Sequence, residues 1–222
     1  MFKGMERLFT ILLLFGSGTA AGAGLFEIRD YDPPTYLEAR SSFVIQLAEQ
    51  FGDANTLVVG DSLVEQTDLS APCGSTFNGG IGGARIQDVQ AALPDLLAST
   101  TPEKLVIAIV ANHFANRNEI DDFRRLYPEF IDGLAGRELV LVGISNSAKA
   151  NAFVAELAEE RNIPFVDPIE GPLNPDGLHH NVEGSRAYRE AIEGGCIHAV
   201  LNLCRSGVSA CSLGRIAARC AV

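Results

Sequence analysis

Leu105-Val106-Ile107-Ala108-Ile109-Val110 is an unbroken apolar run of strand length. A strand with one wet face alternates polar and apolar residues, so a run without polar positions belongs to a strand buried on both faces. Working outward, Leu57-Val58-Val59, ending at Gly60, and the stretch from Leu139 to Ile144 have the same character. Thr76 to Asn78 and Phe165-Val166, after Pro164, are shorter strand candidates. Apolar residues recur at helical spacing between and around these runs, over Tyr36 to Phe51, Ile86 to Leu97, Ile120 to Leu134, Ala148 to Arg161 and Val182 to Leu203. Pro128 predicts a kink or break in the third of these helices, and Gly194-Gly195 a break in the last.

Strands alternating with helices of this length predict an α/β fold. Right-handed crossovers make it a three-layer α/β/α sandwich with a mostly parallel, flavodoxin-like central sheet. Ligands in such folds bind beyond the carboxyl ends of the strands. Polar clusters that follow strands are therefore the places to search.

The totals narrow the function. At 222 residues there is room for one sizeable core. A net charge of −11 and the lack of a basic run argue against nucleic acid as a partner. Lys3 and Arg7 precede a run from Leu8 to Phe15 that is apolar apart from Thr10, and Ala21-Gly22-Ala23 offers a small-residue cleavage site. This reads as a signal peptide over residues 1–23, because a run of about eight apolar residues falls far short of the roughly twenty that span a bilayer. The expectation is an exported protein, periplasmic or secreted, without stable membrane insertion. Its removal takes Lys3, Arg7 and Glu6 and leaves the remainder one unit more acidic. Arg29 to Pro34 reads as an extended lead-in.

Export favours disulfides over free thiols. Cys196, Cys204, Cys211 and Cys220 crowd the C-terminus, with Cys73 far away, and none of the spacings suits zinc. Bridges stapling the tail, residues 205–222, are expected; the odd count leaves one thiol over, and connectivity stays open.

Four clusters carry chemistry. Gly60-Asp61-Ser62-Leu63 puts a hydroxyl just past the first strand, beside the backbone N–H groups of a turn, which suits a nucleophile and helps hold an oxyanion. An ordinary turn with Asp61 or Ser62 as helix cap is the plainer reading of that tetrapeptide. Asn78-Gly79-Gly80-Ile81-Gly82-Gly83 lets backbone approach a ligand closely but matches no nucleotide-binding glycine pattern. Asn112 follows the buried run and has an amide that can donate to an oxyanion. In Asp176-Gly177-Leu178-His179-His180-Asn181, a carboxylate three residues before an imidazole can fix its tautomer and leave the other ring nitrogen to take a proton.

In this order, over roughly residues 55 to 200, the clusters resemble the blocks of the SGNH hydrolase family, the GDSL-type esterases and lipases. The resemblance implies a domain over residues 24–204 that hydrolyses carboxylic esters. Ser62 would be the nucleophile, His179 the base and Asp176 its orienting carboxylate. The backbone of Ser62 and Gly83 and the side chain of Asn112 would form the oxyanion hole, with neither metal nor organic cofactor. The substrate would be a small-molecule or glycan ester: a small acyl ester, a lysophospholipid or an acetylated carbohydrate. An O-acetyltransferase on the same triad and a catalytically silent binding domain are the alternatives. One block departs from the family: Val110-Ala111-Asn112-His113 stands where Gly-x-Asn-Asp is usual. His113 is then a candidate substrate contact or second acid/base, against the plainer reading of a substitution that stabilises the loop.

Overall fold

Five strands form one sheet in the order β2-β1-β3-β4-β5, every neighbouring pair parallel. They are β1 (Thr56–Gly60), β2 (Thr76–Gly80), β3 (Lys104–Ala108), β4 (Glu138–Val142) and β5 (Phe165–Val166). The computed structural model describes residues 34–69, 73–114, 120–144, 147–167 and 171–205. From Thr35 onward they belong to one compact unit. The expected signal at 1–23, most of the lead-in and residues 206–222 of the tail lie outside the described residues.

The helices are α1 (Tyr36–Phe51), α2 (Ser62–Glu65), α3 (Ile86–Thr100), α4 (Ala111–Phe114), α5 (Ile120–Asp132), α6 (Ala148–Glu160) and α7 (Val182–Arg205). The apolar central strands are buried throughout, as a sheet covered on both faces requires. The longest apolar run is not strand to its end. Ile109 and Val110 leave the ladder, stay fully buried and lead into α4.

Neither Pro128 nor Gly194-Gly195 breaks its helix. α5 runs on through Pro128, and α3 contains Pro94. In α5 the buried face of Phe123, Tyr127, Phe130 and Ile131 flanks the proline, so packing outweighs one missing intrahelical hydrogen bond. α7 is continuous through Gly194-Gly195. A β-carbon at Gly195 would run into Val166 of β5, so this glycine serves close helix–sheet packing rather than a break.

Small residues also shape the carboxyl end of the sheet. Gly60 is in register with Gly80 on one side and Ala108 on the other. A β-carbon at Gly80 would meet the backbone of Glu65, and one at Gly60 would meet the carbonyl of Ala108 and the side chain of Val64. The absent side chains let α2 lie directly on the strand ends. Asn78 fastens it there, its amide donating to the carbonyls of Val64 (2.8 Å) and Thr67 (2.9 Å).

A disulfide joins Cys73, just before β2, to Cys196 on α7. This closes the connectivity left open for Cys196, whose partner lies 123 residues upstream; Cys211 and Cys220 lie outside the described residues. At the sheet's opposite end Lys104, nearly buried, donates to the Cys196 carbonyl (3.1 Å) and pairs with Glu138 (2.9 Å).

Candidate active site

Ser62 opens α2 at the carboxyl edge of β1 and is only 8% exposed. Asp61 caps this turn, its Oδ1 accepting from the Leu63 N–H at 3.0 Å. The capping role weighed for this tetrapeptide is therefore real. It falls to Asp61 and leaves the Ser62 hydroxyl for other work.

His179 sits on the loop before α7, 2.8 Å through Nε2 from the Ser62 Oγ. Its Nδ1 is 2.7 Å from Oδ2 of Asp176. An ionised carboxylate can only accept, so Nδ1 carries the proton, and Nε2 of the neutral ring accepts from the hydroxyl. Asp176 is itself held, because its Oδ1 accepts from the N–H groups of Leu178 (2.9 Å) and His179 (3.0 Å). The turn needs Gly177, whose φ is +72°. The Leu178 N–H, the imidazole and the His179 N–H hold the Asp176 carboxyl down to about 2, so it stays ionised near neutrality. The three expected residues form one hydrogen-bonded line.

Asn112 is tied to the residue that follows Gly83. The Asn112 amide donates one hydrogen to the Ala84 carbonyl at 2.8 Å, which ties α4 to the residue after Gly83. A primary amide has two such hydrogens, and this bond uses one of them. Gly83 is exposed with φ +79°, and a β-carbon there would meet nothing within 4 Å. Backbone conformation, not crowding, demands this glycine.

His113 has to be moved out of the candidate site. It is 1% exposed, stacks near Phe123 with ring centroids 5.5 Å apart, and accepts the Ile86 N–H on Nε2 at 3.1 Å. Ile86 begins α3, whose first amides lack intrahelical partners. The imidazole terminates that helix from outside and does not face a substrate. This burial and this bond favour the plainer, structural reading of His113 over a substrate contact.

Two features escaped the motifs. Asp61 is fully buried, and its Oδ2 accepts from the Ala111 N–H at 3.0 Å, which binds the residue before Ser62 to the residue before Asn112. Burial pushes its carboxyl up to about 6, against the opposing pull of the N–H groups of Leu63, Ala111 and Val110 and the electrostatic influence of nearby His179. A charged residue directly after an all-buried strand was the available signal. The second is Glu65, paired with Arg40 of α1 and 3.4 Å from the Tyr36 hydroxyl. A β-carbon on Gly82 would strike this carboxylate and the Tyr36 hydroxyl, so α1 and α2 together back the turn that carries Gly83. Nothing in the local sequence marks that contact.

No family model matches the chain by sequence, and no curated protein matches it. Solved structures do. A protein described provisionally as an acylhydrolase from Bacteroides fragilis superposes with a TM-score of 0.59 at 18% identity, over 72% of this chain and 96% of that one. A GDSL-like lipase from Bacteroides thetaiotaomicron gives 0.55 at 15% identity, over 73% and 98%. The C-terminal catalytic domain of a peptidoglycan O-acetyltransferase from Streptococcus pneumoniae gives 0.52 at 19% identity, over 67% and 95%. At these identities the likeness establishes a shared α/β fold.

Proposed function

We propose that this chain, built on the fold shared by GDSL-like lipases and acylhydrolases, is a serine esterase of the SGNH type that cleaves carboxylic esters through a covalent acyl-enzyme. The observation that carries the proposal is the continuous line from Ser62 through His179 to Asp176. Near-ideal distances across 117 residues of sequence are not a by-product of packing, since an apolar contact would serve a core as well.

In this mechanism His179 Nε2 takes the Ser62 proton as Oγ attacks the ester carbonyl. The carbonyl oxygen becomes an oxyanion, held by the first-turn backbone of α2, the Gly83 N–H and the other Asn112 amide hydrogen. His179 then gives its proton to the leaving alcohol, which departs as the acyl–Ser62 ester forms. Water repeats the steps in reverse, releasing the acid and restoring the hydroxyl. Asp176 keeps the imidazole in the right tautomer and stabilises its cation. Labelling with a fluorophosphonate tests this. A single adduct on Ser62 and turnover of p-nitrophenyl acetate support it, and a folded protein with neither removes it.

A second reading, O-acetyl transfer on the same residues, is favoured by the resemblance to the O-acetyltransferase domain. Products formed with and without an acceptor alcohol separate the two. The Cys73–Cys196 bond supports export, because such bridges persist in oxidising compartments. Among the described residues no helix is long and apolar enough to cross a membrane.

A further inference from the structure

α4 is a single turn of four residues, far too short to hold its place by helix propensity. Three consecutive residues fix it, each through a different partner. The Ala111 N–H donates to Asp61 Oδ2 at 3.0 Å, and the Asn112 amide to the Ala84 carbonyl at 2.8 Å. His113 Nε2 accepts the Ile86 N–H at 3.1 Å. Asp61 precedes Ser62, Ala84 follows Gly83, and Ile86 opens α3. One short turn thus joins the serine's turn to the glycine turn and to the helix that follows it.

We propose that His113 is a positioning residue: by anchoring Ile86, it holds the Gly83 N–H and the Asn112 amide in the mutual placement that an oxyanion hole requires. The inference rests on the esterase reading and deepens it. Its first support is the hydrogen bonding of the glycine turn. Upstream, the Ile81 N–H donates to the Gly60 carbonyl at 3.0 Å, which fixes that end to β1. Downstream, the Ala84 N–H donates to the Ile81 carbonyl (3.0 Å), the Arg85 N–H to the Asp88 carboxylate (2.8 Å) and the Ile86 N–H to His113. Among the described residues no partner accepts from the N–H of Gly82 or Gly83. Two glycines, with no side chains to restrict them, therefore form a span whose placement depends on its ends. His113 secures the downstream end together with Asn112.

The second support is the fixity of the ring itself. His113 is 1% exposed and packs against Phe123 of α5, so it has little freedom to swing. Nε2 accepts only while it carries no proton, which assigns the proton of the neutral ring to Nδ1. Donors to a developing oxyanion act by standing in place before the charge appears. A displacement of about 1 Å can cost as much as 10²-fold in rate. His113 touches no reacting atom, and its effect passes through Asn112 and Gly83.

The test compares His113→Leu, which removes the acceptor but keeps apolar bulk, with His113→Gln, whose amide oxygen can stand near the place of Nε2. His113→Asn, too short to reach Ile86, replaces the leucine protein if that fails to fold. Steady-state hydrolysis of p-nitrophenyl acetate is measured well below the unfolding temperature, and amide hydrogen exchange is followed at Ile86. His113→Leu should lower kcat about 10- to 100-fold with KM changed less than about twofold, and His113→Gln should recover most of the loss. Adding His113→Leu to Asn112→Ala should cost no more than about a further twofold, because neighbours that act through one device are not additive. The Ile86 amide should exchange slowly in the wild type and His113→Gln, and quickly in His113→Leu. Wild-type kcat in the leucine protein, a loss confined to KM, full additivity with Asn112→Ala, or a glutamine protein no better than leucine overturns the proposal. Unchanged exchange at Ile86 in His113→Leu overturns the anchor itself. Exchange that follows the expected order in a wild type that hydrolyses no ester fells the esterase reading and leaves the anchor standing.

Discussion

The buried carboxylate of Asp61 accepts the backbone N–H of Ala111 at 3.0 Å, so the turn that starts with Ser62 and the turn that carries Asn112 are held by one side chain. The turns that carry Ser62 and Asn112 thereby share a common anchor between the ends of β1 and β3.

Asp61→Asn is expected to disturb that anchor. An amide has one oxygen for two N–H donors, and its NH2 would face either Leu63 or Ala111. Activity should fall about 10- to 100-fold through misplacement of Asn112 and Ser62. The pH dependence of stability should change too. The folded carboxyl is raised to about 6 from its ordinary 3.8, so the folded state holds its proton longer than the unfolded chain. This contribution is complete below pH 4 and is lost as pH rises through 6. Urea unfolding at pH 4 and pH 7 should show the decline in the wild type and a smaller one in Asp61→Asn.

Asp176 has the opposite sign. Its folded carboxyl lies near 2, below the ordinary value, so its favourable interactions are present above pH 4 and fail only as pH falls through 2. The acid limb of the pH–rate profile above pH 4 should therefore not contain this group. Asp176→Asn should lower kcat by about 10³- to 10⁴-fold at every pH from 5 to 9, because the imidazole loses its tautomer control.

Asn112→Ala removes an amide that braces the turn after Gly83 and that the proposed mechanism uses as an oxyanion donor. A loss of about 10²–10³ in kcat with little change in KM is expected, as for removal of one oxyanion donor. A change confined to KM would argue that Asn112 contacts ground-state substrate instead.

Gly80→Ala should be among the most damaging single-methyl changes. The new β-carbon would press on the backbone of Glu65, which has no rotamer with which to yield. A destabilisation of about 1–3 kcal/mol is expected, measurable by thermal or urea unfolding. Activity should fall with it, since α2 would be lifted from the strand ends.

Replacing Cys73 or Cys196 by Ser opens a loop of 123 residues. Loss of this constraint on the unfolded chain should cost about 2–4 kcal/mol. Unfolding of wild-type protein with and without reductant should reproduce the difference.

Much of the architecture was legible because the strongest signals were local. Short apolar runs between turn signals, such as the one opening at Leu105, read as buried strands, and Ser62, Asp176 and His179 stand in motifs short enough to see. Strand ends were misjudged where burial outlasts pairing, as at Ile109 and Val110. Pro128 and Gly194-Gly195 misled because tertiary packing outweighs helix propensity. His113 was ambiguous because only the fold reveals that it meets the first turn of α3. The contact of Glu65 with Arg40, Tyr36 and Gly82 joins three distant stretches, and no local pattern encodes it.

The sulfur bridge has a topological consequence. It closes a covalent ring that contains Gly83, Asn112, Asp176 and His179 and leaves Ser62 on the arm outside. A single proteolytic nick between Cys73 and His179 would put Ser62 on one fragment and His179 on the other. The two would still travel as one molecule, kept at a local concentration that separate fragments could not reach.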